Sequence, residues 1–427
     1  MSRLELSIDR LANGGDGVAR DPDGRVVFVP GGLPGDLVDV VIEREAKRFA
    51  RARLVGVPRA GPGRIEPPCP EVAAGCGGCD LQHAAPDALR TWKRTIVADA
   101  LARIGGLRDV TADDVDPGPD LATSGFRTTL RLGVRDGRAG YRRRRSHDVL
   151  TVGGCLIAHP GLEELIRDGR YGSSTEVVLR VSASTGRRMV VATPTAEGVT
   201  VPDDVLVVGD DELDAGRAAH LTDRAGGRDW RISARSFFQT RADGADALVA
   251  TVRGHLRHLL RDSVDGATVV DAYCGVGLLS AAAAGARIIG VERSPDAAAD
   301  AAHNLGVALR TAGDASPRAG ADTTTVLQMP FEEWEPEPAD AVIADPSRAG
   351  LGAAGVDRVV GTGARAVTLV SCDAGSLGRD ARLLTDAGYA LVGTTLVDLF
   401  PHTAHTEVVT SFADRNIRGR GLHRTTR

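Results

Sequence analysis

Between residues 266 and 411 the sequence repeats one unit: a short apolar run, a polar residue or tight turn at its end, then in the earlier repeats a helical stretch. The apolar runs fall at 268–271, 287–292, 324–328, 341–345, 366–371, 390–397 and 406–411. Apolar strands alternating with helices must bury both faces, and the layered solution is a doubly wound α/β sheet flanked by helices. Ligands of such sheets bind beyond the carboxyl ends of the strands. Asp271, Glu292, Asp345 and Cys372 occupy those ends in this reading, so four polar groups converge on one rim.

The first unit, Val269-Val270-Asp271-Ala272-Tyr273-Cys274-Gly275-Val276-Gly277, ends in a glycine turn. Gly275 and Gly277 let the backbone turn sharply and approach a ligand closely, and residues 278–284 are expected to continue as a helix with its amides facing the bound group. Glu292 follows Asp271 by about 20 residues, the spacing at which a carboxylate meets a ribose diol. Ser280 replaces the third glycine of a dinucleotide fingerprint, and no G-x-x-x-x-G-K segment is present to cradle a triphosphate. S-adenosylmethionine is therefore the leading cofactor.

Cys372 follows an apolar strand directly and should present its thiol at the rim, with Asp345 ending the neighbouring strand and Glu407 nearby. Beside a methyl donor, a thiol and carboxylates suit one chemistry. Pyrimidine C5 is a poor nucleophile; thiolate attack at C6 makes it an enolate carbon, and a base must then remove the C5 proton so that the thiol can leave. Cys274 reads as a small buried filler.

The rest of the 427-residue chain is expected to supply two further domains. Residues 1–57 alternate short strands with glycine turns, which suggests a small OB-like barrel. A Pro/Gly-rich link at 58–68 leads to Cys69, Cys76 and Cys79, three of six cysteines within eleven residues. With Cys155 as a fourth donor these read as metal ligands, and spacing alone leaves zinc and an iron–sulfur cluster both open. A helix is expected over 91–104, and strands including 177–181, 189–192, 205–208 and 230–232 should form an antiparallel central sheet. Residues 235–240 lead into a helix reaching about residue 260, with Phe237 and Phe238 read as core.

Net charge is −5, yet residues 41–65 hold seven Arg or Lys against two Glu, and residues 121–150 hold eight Arg against two Asp. Such local excess suits a polyanion held through its phosphates, and Arg44, Lys47, Arg48, Arg51 and Arg53 could track an RNA backbone. The N-terminus carries no apolar signal segment, and no apolar run approaches the roughly 20 residues of a membrane helix. A cytoplasmic monomer without membrane contact is expected.

Together these segments resemble the S-adenosylmethionine-dependent RNA 5-methyluridine methyltransferases that carry a TRAM domain and an iron–sulfur cluster. The resemblance covers nearly the whole chain. It implies a TRAM barrel at 1–57, a central iron–sulfur domain at 58–235, a Rossmann-like class I methyltransferase domain at 236–412 and a basic tail at 413–427. It further implies that Cys69, Cys76, Cys79 and Cys155 hold [4Fe-4S], and that Gln239 in Ser236-Phe237-Phe238-Gln239 touches the methyl donor. Asp271, Tyr273, Gly275, Gly277, Glu292 and Asp345 would complete the donor site, and Cys372, Glu407 and Asp345 the catalytic set. Large-subunit ribosomal RNA is implied ahead of tRNA. Three positions depart from the family pattern: Ser347 stands for proline, Asp373-Ala374 for Asn-Pro, and Met329-Pro330 for a Gly-Asp near adenine. A cytosine-C5 enzyme is disfavoured, since no Cys adjoins Asp345; a non-catalytic RNA-binding factor is the reading from another class.

Overall fold

The computed structural model describes residues 3–144, 146–261, 263–311 and 324–415. Its largest sheet has eight strands in the order Leu309–Thr311, Thr325–Gln328, Arg287–Glu292, Thr268–Ala272, Ala341–Ala344, Ala366–Ser371, Val408–Asp414 and Tyr389–Leu396. The strands are apolar on both faces because helices cover both: Val269, Val270, Ile289, Val342, Ile343, Val367 and Leu369 are fully buried. The chain steps outward from Thr268–Ala272 and then returns to its other side at Ala341–Ala344. The topological switch point therefore lies between these two strands, beside Asp271 and Asp345.

The sheet departs from the sequence reading in two respects. A short edge strand, Leu309–Thr311, was not foreseen, and Val408–Asp414 runs antiparallel to both neighbours. The connection from Leu396 to Val408 contains no helix and is too short for a crossover, so it can only return as a hairpin. The helix expected over 278–284 is a single 3-10 segment, Leu279–Ala283, cut short because Gly285 and the next strand follow at once.

Residues 3–59 form six strands whose inner face gathers Leu6, Ile8, Val27, Val29, Val38 and Val40 into one core. In the middle of the chain a second six-stranded sheet runs Val205–Gly209, Arg188–Thr193, Glu176–Val181, Thr129–Arg135, Arg138–Arg142, Val149–Thr151. Its edge strand Val205–Gly209 pairs parallel, and residues 230–232 do not join it. They belong to a separate hairpin, His220–Ala225 with Arg228–Ser233, whose Trp230 is buried against helix Ala242–Leu259 in the core of the eight-stranded sheet. Helix Pro86–Arg103 likewise crosses over: Val97, Ala98 and Leu101 pack with Leu377 and Ala381 of helix Ala374–Asp386. The basic tail read in the sequence lies outside the described residues from 416 onward, as does Arg145. No helix among the described residues is long and apolar enough to cross a membrane.

Candidate active site and cysteine cluster

Four consecutive strands end on the predicted rim. Asp271 is the penultimate residue of its strand, Glu292 closes the next, and Asp345 and Cys372 directly follow theirs. Glu407 precedes Val408–Asp414, but that strand is antiparallel, and the register Ser371 opposite Val408 brings its start to the same rim beside Cys372. The reversal that the alternation did not predict is what delivers the glutamate.

The glycine loop is fixed by the acid after it. The Gly275 amide donates to Glu292 Oε2 (3.0 Å) and the Ser294 amide to Oε1 (2.7 Å). Gly275 and Gly277 lie at φ 55° and 91°, and Tyr273 adopts the left-handed region at φ 59°. Tyr273 is held by its hydroxyl, which donates to Glu332 Oε1 (2.6 Å), and by its ring against Phe331. Cys274 is buried among Ala298, Ala301 and Val326, as a filler should be. Met329, at the departure from the family pattern, donates its amide to the Glu292 carbonyl (2.9 Å), so backbone holds this segment whatever its side chains. Gln239 is buried; of the paired phenylalanines only Phe238 joins the core, and Phe237 is 64% exposed. Reading Phe237 as core was incorrect, because the segment leaves the hairpin extended and its side chains alternate.

Electrostatically the rim is crowded with acids. Burial pushes Asp271 up to about 7, with Glu292 adding to the rise, although Ser280 Oγ donates to its Oδ2 (2.5 Å). Burial and then Asp271 push Asp345 up to about 7. Burial and then Asp345 hold Glu407 well above the usual carboxylate range. The Cys372 thiol is pushed up to about 11 by burial, then by Glu407 and Asp345, with the exposed Arg348 opposing. These influences place both carboxylates and one guanidinium within electrostatic reach of the thiol.

Asp271 supplies a pH prediction. Its folded pKa is raised, so between about pH 4 and pH 7 the native state binds more protons than the unfolded state, and stability falls as pH rises through that window. Asp271→Asn should therefore raise the melting temperature of the ligand-free protein at pH 8 and lose that gain near pH 4. A gain independent of pH would show that the carboxylate is not the cause.

The terminal loop that carries Glu407 is secured by residues the sequence reading passed over. Lys93, fully buried, donates to Asp398 Oδ1 (2.7 Å) and the Phe400 carbonyl (2.8 Å), and the Leu81 amide donates to the His402 carbonyl (2.8 Å). The signal was available: Lys93 is one of only two lysines in an Arg-rich chain. From the N-terminal sheet region, Gly15 packs so closely on Ala404 that a Cβ there would lie 2.9 Å from the alanine methyl.

Cys69, Cys76, Cys79 and Cys155 line one small cavity with Tyr141 and Gln82, and all four are free thiols. Gly77 is required there, since a Cβ would meet the Arg142 carbonyl at 2.6 Å, and at Gly78 a Cβ would crowd the Tyr141 ring at 3.0 Å. Tyr141 Oη lies 3.2 Å from Cys155 Sγ. Burial raises Cys76 and pushes Cys79 up to about 12, and in both the other cluster cysteines add to the rise. Among the described residues no three His, Cys, Asp or Glu side chains converge on a single-ion centre.

The basic face of the N-terminal six-stranded sheet is narrower than charge counting implied. Arg51 pairs with Asp16 (3.1 Å) and Arg53 with Glu43 (2.9 Å). Exposed Arg44, Lys47 and Arg48 have no ion pair among the described residues and adjoin the half-exposed Phe49. In the central sheet Glu176 pairs with both Arg131 and Arg142.

Comparison with known proteins gives these observations a context. The TRAM domain family matches residues 2–55. An uncharacterized RNA methyltransferase of Streptomyces avermitilis is 35% identical, over 95% of this chain and 96% of the relative. The chain belongs to this family of RNA methyltransferases. An uncharacterized RNA methyltransferase of Corynebacterium efficiens is 32% identical over 97% of this chain and 95% of its own length. Among solved structures, the Pyrococcus abyssi tRNA (uracil-54, C5)-methyltransferase in complex with S-adenosyl-L-homocysteine superposes with a TM-score of 0.71. It covers 96% of this methyltransferase and 100% of its own chain at 23% identity, which establishes a shared fold.

Proposed function

We propose that this RNA methyltransferase transfers a methyl group from S-adenosylmethionine to C5 of a uridine in RNA, through a covalent adduct on Cys372. The observation that carries the reading is the convergence of one thiol with Glu407 and Asp345 beside a glycine loop locked by Glu292. The Pyrococcus neighbour, a uracil-C5 enzyme complexed with S-adenosyl-L-homocysteine, supports both chemistry and cofactor. Donor binding falls to Gln239, Asp271, Tyr273, Gly275, Gly277, Glu292 and Asp345. The electrostatics support a cationic ligand, since mutually repelling buried carboxylates are relieved by a sulfonium.

In the proposed reaction the target base leaves its stack to enter the rim. Cys372 Sγ gives its proton to solvent and adds to C6, C5 takes the methyl group from the sulfonium as S-adenosylhomocysteine leaves, and Glu407 removes the C5 proton so that the C6–S bond breaks and the thiolate is released. Asp345 orients the base. Segment Asp345-Pro346-Ser347-Arg348 offers no second cysteine, which favours uracil over cytosine. Large-subunit ribosomal RNA is the proposed substrate, bound through the exposed cations of the N-terminal sheet, and tRNA is the alternative that the Pyrococcus neighbour raises. Mapping 5-methyluridine in ribosomal and transfer RNA from a strain lacking the gene tests the reading. Loss of one such nucleoside from ribosomal RNA is expected, and an unchanged profile in both RNAs overturns it.

For the cysteine site we propose [4Fe-4S]: four thiols line one cavity, while among the described residues no three of them converge closely enough for a single ion. Such a cluster would supply a covalent cross-link between the loop 69–79 and Cys155. Anaerobically prepared protein should then carry about four irons per chain, and Cys79→Ser should lose most of them. Zinc without iron in the wild-type protein would replace the cluster by a mononuclear site.

A further inference from the structure

The segment that carries Gln239 and the exposed Phe237 has no regular structure of its own, yet it is held in a fixed place. Its start is gripped from two sides. On one, Asp300 of helix Pro295–Leu305 is fully buried and accepts from the Ser233 amide (2.7 Å), Ser233 Oγ (2.8 Å) and Ser236 Oγ (2.6 Å), with Arg231 paired at 3.3 Å. On the other, Arg180 of the central sheet donates to the Ser233 carbonyl (3.1 Å) and the Ser236 carbonyl (3.0 Å). Beyond Gln239 the Thr240 carbonyl accepts from the Thr128 amide (2.7 Å), again from the central sheet.

The same helix holds the glycine loop. Asn304, one turn after Asp300, donates from Nδ2 to the Val276 carbonyl (3.0 Å) and the Arg231 carbonyl (3.0 Å), and accepts from the Arg231 amide (2.8 Å). Helix Pro295–Leu305 itself begins directly after Glu292 and Ser294. Three pieces distant in sequence, the glycine loop, the acid Glu292 and the segment 233–239, are thus referenced to one short helix. A carboxylate that accepts three hydrogen bonds in a dry interior is a costly device unless every donor is satisfied. Helix–hairpin packing alone could use an apolar residue at 300.

We propose that Asp300 is a positioning residue for methyl transfer: through Ser233 and Ser236 it sets the place of Gln239 and Phe237 relative to the donor loop. It touches neither cofactor nor base. The proposal rests on the functional reading above, in which that segment faces the donor.

The test uses the full-length protein with Asp300→Asn, Ser236→Ala and the double variant. Asp300→Asn keeps the shape of the side chain but replaces one acceptor oxygen by a donor. Misplacement of a reacting geometry costs on the order of 10- to 100-fold, and each single variant is expected to lose kcat in that range while the KM for RNA stays unchanged. The double variant should be scarcely worse than the worse single one, because both remove one link. Amide hydrogen exchange over 233–240 should quicken in Asp300→Asn beyond any change elsewhere in the chain, and should quicken also in Ser236→Ala, which leaves the Asp300–Arg231 pair intact. That measurement needs no activity, so it separates the proposal from the functional reading. Wild-type protein that neither binds S-adenosylmethionine nor methylates RNA defeats the reading alone. Unchanged exchange at 233–240, unchanged kcat, or losses that add independently in the double variant each overturn the positioning role.

Discussion

Cys372→Ala is expected to abolish methyl transfer, with a loss of about 10⁴-fold or more, while affinity for RNA stays within about twofold of wild type. The asymmetry follows from where the thiol sits. Cys372 is half-buried at the carboxyl end of strand Ala366–Ser371, and the exposed cations Arg44, Lys47 and Arg48 that would meet phosphates lie on the N-terminal sheet. The thiol itself is poorly suited to idle reactivity: burial, Glu407 and Asp345 push it up to about 11, so at neutral pH it holds its proton. Attack must be coupled to removal of that proton in the occupied site, where a sulfonium and the guanidinium of Arg348 favour the thiolate. Tritium transfer from labelled S-adenosylmethionine to RNA and a filter-binding titration measure the two quantities. Transfer persisting in the alanine variant would remove the covalent route altogether.

The catalytic sheet was legible because its strands are apolar on both faces and each ends on a polar residue. Asp271, Glu292, Asp345 and Cys372 could be placed on one rim from that pattern alone. Glu407 could be named as a base, but its route to the rim could not be read, since nothing in a run of apolar residues distinguishes a parallel strand from an antiparallel one. The distinction lies in the helix-free connection 397–407. Phe237 and residues 230–232 were misplaced for a related reason. A short β-rich stretch has the same alternation whether it joins a large sheet or folds on itself as a hairpin, and only the packing of Trp230 against helix Ala242–Leu259 decides. The anchors Lys93, Asp300 and Arg180 are charges in the interior, and their partners lie up to hundreds of residues away in sequence. Local spacing carries no trace of such pairs, although the scarcity of lysine marked the first.

Glu407→Gln is expected to trap the enzyme on its substrate, giving a covalent protein–RNA complex that survives denaturing electrophoresis. The substitution keeps size and shape in a buried position and removes only the capacity to take a proton. Burial and Asp345 hold the Glu407 carboxyl well above its ordinary range, so the wild-type base becomes competent as pH rises, and turnover should climb with pH until it is ionised. In the glutamine variant addition at C6 and methylation at C5 can proceed, because neither requires Glu407. Elimination cannot, because the C5 proton has no acceptor and the C6–S bond cannot break. The adduct should therefore contain the transferred methyl group, appear in proportion to enzyme and not to time, and be absent from Cys372→Ala. Its yield should also lose the rising pH limb that Glu407 imposes on the wild-type enzyme. Multiple turnovers without any adduct would mean that another group, such as Asp345, whose charge acts on both Cys372 and Glu407, removes the proton. The two substitutions thus divide the reaction at its covalent intermediate, one preventing its formation and the other its decay.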